Sequence, residues 1–289
     1  MSNFKRKLSP SQINTFLSCK AKWFYQYILR LEGVETHHML RGSMVHEVLE
    51  DFFKCYPKNA NIGNLKPMLL DKMKEIFIGK WEKYEQRLEE ICTRDNIDIM
   101  EIWVETEEMV EMFATRTFEQ MIPHFRKTGN VFRAWRAVKP IFRELYVDSE
   151  TLGVQGYIDS ILIKEDKIFL VDYKTSSIYI LPFEEEYERQ LLIYALLYRE
   201  AHGKLPDYVS INYLKYGYFT SMKVNEIQAK ETEDIITKVH LETESIEQSD
   251  YPANVEYKFC AWCSFLDQCK LDYADLWKAS GRKVYKKDG

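Results

Sequence analysis

The sequence predicts an α/β (α+β) protein: a central mixed β-sheet flanked by helices, a large helical N-terminal region and a cysteine-bearing C-terminal segment. Three observations predict it. Apolar residues recur at three- and four-residue spacing through most of the first 125 residues. β-rich runs separated by Gly and polar turns dominate from 131 to 224. A helical pattern over 185–200 lies between two of these runs, the order that packs a helix against a sheet.

Bulk properties are consistent with this. With 289 residues, 46% of them hydrophobic, the chain can bury a substantial core. With 29% charged residues and no dominant low-complexity run, wholesale disorder is excluded. No apolar stretch approaches the ~20 residues that span a bilayer. Met1-Ser2-Asn3-Phe4-Lys5-Arg6-Lys7 lacks the apolar core of a signal peptide, so a cytoplasmic location is expected.

Element by element, Ser9-Pro10-Ser11-Gln12 reads as a capped helix start, with Pro10 at the first helical position. Ile13, Phe16, Leu17, Phe24 and Ile28 continue it as one stripe that carries Cys19. Gly42-Ser43 precedes a second helix bearing His46 at the flank of its apolar face. Leu65 to Ile91 and Ile97 to Phe125 read as long helices broken near Arg94-Asp95-Asn96. Val131 to Val147, Val154 to Lys164 and Ile168 to Lys174 read as strands, with Lys164-Glu165-Asp166-Lys167 as a turn. A helix over Glu185 to Glu200 ends at His202-Gly203. Tyr208 to Tyr216 and Tyr218 to Val224 form a hairpin around Gly217, and Glu226 to Ser249 is helical in pattern.

Polar residues interrupt the apolar pattern at Asp159 and again at Asp172-Tyr173-Lys174. If the two strands pair as a hairpin, the aspartates face each other at roughly 4.5–5.5 Å. Carboxylates that close resist ionisation unless a cation sits between them, and oxygen donors suit Mg²⁺ or Mn²⁺. Lys174, two residues on from Asp172, shares its face and brings an ammonium to the same place. Taken alone, Asp172 and Lys174 would equally make an ordinary salt bridge at a strand end.

Four motifs in order carry more weight: Gly42-x-x-x-His46, Gly156-x-x-Asp159, Asp172-x-Lys174 and Gln190-x-x-x-Tyr194. Together they resemble the PD-(D/E)XK nuclease superfamily, in the RecB/AddB-like branch that includes CRISPR-associated and phage-type exonucleases. The resemblance implies a restriction-endonuclease-like core. It also implies Mg²⁺ or Mn²⁺ held by His46, Asp159, Asp172 and the carbonyl of Tyr173, with Lys174 catalytic. Gln190 and Tyr194 would stand at the rim, contacting substrate or orienting Lys174. An ordinary packed tyrosine accounts for Tyr194 as well, and Glu144 is either a further site carboxylate or an exposed strand glutamate.

Cys260-x-x-Cys263 and Cys269 lie close together near the end of the sequence, and Cys19 is the fourth candidate ligand. Disulfides are disfavoured without a secretory signal, while zinc and iron–sulfur both suit four thiolates. The spacing resembles the iron–sulfur nucleases of the same branch, which implies a structural 4Fe–4S cluster, with zinc the less favoured occupant. Lys20 stands where that branch has proline. Cys55 and Cys92 read as ordinary thiols.

The formal charge of −5 hides segregation. Lys5, Arg6, Lys7, Lys20, Lys22 and Arg30, then Arg126 to Arg143, then Lys278 to Lys287, are basic stretches, while acidic residues collect in 82–119. A basic face with Lys20, Lys22, Arg133 and Arg136, and with Trp135, Trp23, Tyr25 and Tyr27 beside it, is expected to track single-stranded DNA. The expected organisation is N-terminal helices over 1–60, a helical insertion over 61–128, the nuclease core over 129–225 and the cysteine segment over 226–289.

The function expected is therefore a metal-dependent deoxyribonuclease, an exonuclease on single strands or ends. Recombination, repair, phage DNA processing or CRISPR adaptation would supply its partners. The rival is a catalytically silent DNA-binding or complex-assembly module that retains the fold and a cluster or zinc site.

Overall fold

The computed structural model describes Phe4 and residues 6–56, 60–176 and 184–286. Met1, Ser2, Asn3, Lys5 and Lys287 lie outside the described residues. The chain begins with α1 (Pro10–Ser18), where Ser9 and Gln12 close the capping box that the sequence predicts. The single stripe expected through Cys19 is two helices instead. Cys19 is extended (φ −160°), and its amide caps α1 by donating to the Thr15 carbonyl before α2 (Lys20–Trp23) begins. A wider π turn, Phe24–Ile28, follows.

α3 (His37–Phe52) starts earlier than Gly42-Ser43 suggests, because Thr36 caps it through the Met39 amide. Gly42 thus sits inside the helix, where a Cβ would lie 3.7 Å from Thr175 Oγ1. The long helices α4 (Leu65–Asp95) and α5 (Ile99–Thr128) are separated at Asn96, which adopts a left-handed conformation. α3, α4 and α5 bury Met44, Val48, Phe52, Phe77, Trp81 and Met109 among them.

The strand expected from Val131 to Val147 is also corrected. Residues Val131–Val138 form α6, capped by Asn130, and burying Val131, Ala134, Trp135 and Val138. That spacing is helical, and the valines at its ends gave it a β-like composition.

One five-stranded sheet follows, in the order β1-β2-β3-β4-β5. Its strands are β1 (Phe142–Ser149), β2 (Val154–Lys164), β3 (Lys167–Lys174), β4 (Tyr208–Tyr213) and β5 (Tyr218–Lys223). β2 and β3 are the predicted hairpin, turned by Glu165 and Asp166, both at positive φ. β3 and β4 are parallel, joined through α7 (Glu185–His202), which Gly203 terminates. β4 and β5 form the hairpin expected around Gly217, with a 3-10 turn at Leu214–Tyr216.

α7 packs its Leu191–Tyr198 run on one sheet face with α1, α8 (Glu226–Glu242) and Tyr251, while α3 to α6 cover the other face. α8 stops at Glu242, short of the expected Ser249. The sequence closes with α9 (Leu266–Asp272) and α10 (Ala274–Ser280). No described helix is long and apolar enough to cross a membrane.

Candidate active site

The β2–β3 pairing ends at Ser160↔Val171, so Asp159 and Asp172 are the next residues along the two strands. Asp159 Oδ2 accepts the Tyr173 amide at 2.8 Å, which locks its carboxylate across the hairpin. Asp159 is 8% exposed and Asp172 3%. Burial and the Asp172 charge raise the Asp159 pKa, and His46 opposes them.

His46 reaches this point from α3. Its Nδ1 lies 3.3 Å from Glu144 Oε1 and 3.5 Å from Asp159 Oδ1, and its Nε2 lies 3.1 Å from the Tyr173 carbonyl oxygen. Burial disfavours the imidazolium, but Asp159, Glu144 and Asp172 more than offset it and raise its pKa well above 6.5.

One ligand atom each from His46, Glu144 and Asp159 lies within 4.8 Å of the others. Glu144 reaches this place through backbone distortion. The β1–β2 pairing runs Arg143↔Ser160, then resumes at Leu145↔Ile158, skipping Glu144 and Asp159. Glu144 has φ 46°, a conformation that costs a non-glycine residue on the order of 1–3 kcal/mol and survives only where its surroundings impose it. Composition gave no sign of this distortion.

Lys174 Nζ contacts Asp172 Oδ2 at 2.8 Å and donates to Gln190 Oε1 at 3.0 Å. Gln190 Nε2 in turn donates to the Tyr194 hydroxyl at 3.0 Å. The Tyr187 ring lies 4.6 Å from the ammonium. Burial alone would lower the Lys174 pKa, yet Asp172, Tyr187 and Asp159 raise it, so Lys174 stays cationic at neutral pH. Gly156 serves the same helix–sheet contact, since a Cβ there would come within 3.1 Å of Tyr194 Cε1.

Arg41, 1% exposed, is a positioning residue that the motifs do not announce. It donates to the Thr175 carbonyl at 3.1 Å and pairs with Glu105, which also takes Lys215. It thereby ties the helix bearing His46 to the strand end bearing Lys174. Its only trace in the sequence is a charge on an apolar helix face.

Cys19, Cys260, Cys263 and Cys269 line one cavity, with Lys22, Tyr25 and Trp277. The ends of the fold are stitched beside it: Ala21 N donates to the Pro252 carbonyl, and Asn254 Nδ2 to the Ser18 carbonyl at 2.9 Å. N–H groups point at sulfur: Asn254 N at Cys19 and Trp277 Nε1 at Cys269, both at 3.4 Å, and the Phe265 amide at Cys263. Burial, with the neighbouring thiols, raises Cys260 and Cys263 and pushes Cys269 up to about 11. These groups become thiolates at neutral pH only with a cation among them, so the donor set suits a thiophilic metal centre.

The aromatic residues expected to stack bases do not fit that role. Trp135, Trp23 and Tyr25 are 2%, 0% and 1% exposed, all parts of the core, and Tyr27 is half-buried. Arg133 and Arg136 are exposed on α6, whereas Lys20 pairs with Glu242.

Among known proteins, an ATP-dependent helicase/nuclease subunit of Streptococcus agalactiae serotype Ia is 25% identical over 190 residues, 65% of this chain and 14% of that protein. The serotype III protein of the same name matches to the same extent. The chain thus spans a small part of these relatives' length. A solved structure named "Putative exonuclease" from Eubacterium rectale aligns over 93% of this chain and 88% of its own, at 12% identity and a TM-score of 0.43. The sequence profile of the PD-(D/E)XK nuclease superfamily matches residues 7–270, and the chain belongs to that superfamily.

Proposed function

We propose that the protein is a divalent-metal-dependent deoxyribonuclease acting on single-stranded DNA or DNA ends, with a structural 4Fe–4S cluster. The observation that carries the reading is the convergence, at one strand end, of the His46–Glu144–Asp159 ligand group with the Asp172–Lys174–Gln190–Tyr194 chain. The carboxylate and carbonyl oxygens gathered here fit Mg²⁺ or Mn²⁺. His46, Glu144, Asp159 and the Tyr173 carbonyl would hold the cation, with Asp172 beside them. Bound there, it supplies Lewis-acid polarisation of the phosphodiester and a lowered pKa for the attacking water.

The protein's own residues do the rest. Lys174, held cationic by Asp172 and aimed by Gln190, offsets charge developing on the phosphoryl oxygens. Tyr194 fixes the Gln190 amide, and Arg41 fixes the strand end. The relatives' name joins helicase to nuclease, and these residues support the nuclease part for this chain.

The C-x2-C-x5-C spacing of Cys260, Cys263 and Cys269, with Cys19 far upstream lining the same cavity, supports the iron–sulfur reading over zinc. The N–H groups aimed at Cys19 and Cys269 would serve as sulfur hydrogen bonds of the kind that tune such a cluster. Joining Cys19 to the far end of the sequence would close a very long loop, the geometry in which a crosslink most restricts the unfolded chain.

A time course on end-labelled single- and double-stranded DNA with Mg²⁺ or Mn²⁺ tests the reading. Cleavage that Lys174→Ala reduces by at least about 100-fold while sparing binding is expected. DNA left untouched by the wild-type protein, with binding retained, would instead support a silent DNA-binding module. This reading would place the protein in DNA recombination or repair, phage DNA processing or CRISPR adaptation, with a recombination or CRISPR protein as its partner.

A further inference from the structure

The cleft that holds His46 and Glu144 has a volume of about 490 Å³ and is completed by Gly42, Ser43, Glu47, Glu50 and Tyr157. Tyr157 is 56% exposed, and its direct cross-strand partner Tyr146 is 47% exposed. Their ring centroids lie 5.2 Å apart with the planes tilted by 57°. Neither ring belongs to the hydrophobic cores. Tyr146 is fixed at its tip, where its hydroxyl donates to Gln155 Oε1 at 3.3 Å.

The acidic residues of the cleft do not bar a phosphate backbone. Glu47 is taken up by Lys80, Lys83 and Tyr84, and Glu50 by Lys54. Two residues along a strand span roughly 7 Å. That separates Tyr157 from Asp159 on β2 by on the order of one nucleotide of an extended strand, and Tyr146 stands directly across from Tyr157.

We propose that Tyr146 and Tyr157 form a stacking platform for the base next to the scissile phosphate of single-stranded DNA. The proposal rests on the nuclease reading above. A ring stacks on any base, so the platform recognises a strand without reading its sequence. It also requires an unpaired base, because a base inside a duplex is already stacked on both sides. The platform therefore selects single strands and frayed ends over intact duplex.

The test uses the Lys174→Ala protein and a single-stranded oligonucleotide carrying 2-aminopurine, whose fluorescence is quenched on stacking. Tyr146→Ala/Tyr157→Ala should weaken binding by about tenfold or more and remove the quenching, with an unchanged thermal midpoint. Tyr146→Phe/Tyr157→Phe should keep both, and Tyr157→Ala alone should lie between. An abasic site at that nucleotide should abolish the difference between the Tyr and Ala proteins. Full binding and quenching in the Ala variant, equal losses in the Phe and Ala variants, or a loss that persists on the abasic strand would each overturn the platform. If the wild-type protein neither binds nor cleaves the oligonucleotide, the nuclease reading fails first and the platform with it.

Discussion

At the scale of single residues, the site is a problem in where protons sit. Asp159 is buried against Asp172, and the charge between them is relieved by the proton that His46 holds. A cation entering among His46, Glu144 and Asp159 must displace that proton. His46 has a raised pKa, so its protonated form, with the stability it contributes, is complete below about 6.5 and is lost as pH rises through the higher folded-state value. Metal affinity should therefore rise with pH across the window above 6.5. Calorimetric titration of Mn²⁺ in buffers of different ionisation enthalpy should register proton release, and a buffer-independent heat would contradict it. Trp135 poses the opposite case. Fully enclosed against Phe52 and Phe53, it should cost about 3–5 kcal/mol on truncation to Ala in a denaturant melt. A neutral substitution would mean that the indole is not packed in the core.

At the scale of elements, Cys19 shows how a break in a helix becomes useful. Its extended backbone ends α1 and starts α2, which turns the thiol toward Cys260, Cys263 and Cys269. If a cluster ties these elements, anaerobically purified protein should be brown, with broad absorption near ~400 nm. Cys19→Ser should bleach it, lower the thermal midpoint and expose the segment after α8 to protease. A colourless wild-type protein with stoichiometric zinc would replace iron–sulfur by zinc. A wild-type melting curve in the serine variant would remove the tie altogether.

At the scale of the whole molecule, substrate must reach one end of the sheet past a surface of mixed charge. Arg133 and Arg136 stand exposed on α6, with Arg136 over the Phe132 ring, whereas Lys20 of the same expected face pairs with Glu242. Reversing both to Glu should raise KM for DNA, flatten its dependence on salt and leave kcat in place. An unchanged KM would take α6 off the DNA path. Steady-state kinetics at two salt concentrations decide the matter.

The family, the hairpin of Asp159 and Asp172, the α7 helix with Gln190 and Tyr194, and the four candidate cysteines were all legible in the order of residues. Most of those signals are local: a capping box, a two-residue turn, alternation along a strand and fixed motif spacings all act within a few residues, whereas Cys19 was tied to the distant cysteines only through the family resemblance. Two other features emerge only when the chain is folded: Arg41 clamps α3 to β3, and Tyr146 and Tyr157 face outward together; folding also decides for Glu144, which the sequence left between a site carboxylate and an exposed strand glutamate, by turning it into the ligand group. Folding also moves Trp135, Trp23 and Tyr25 from an expected DNA surface into the core. The reason is physical. Which side of an aromatic or charged residue meets solvent depends on register and on what packs over it, and partners such as His46 and Glu144 are 98 positions apart in the chain.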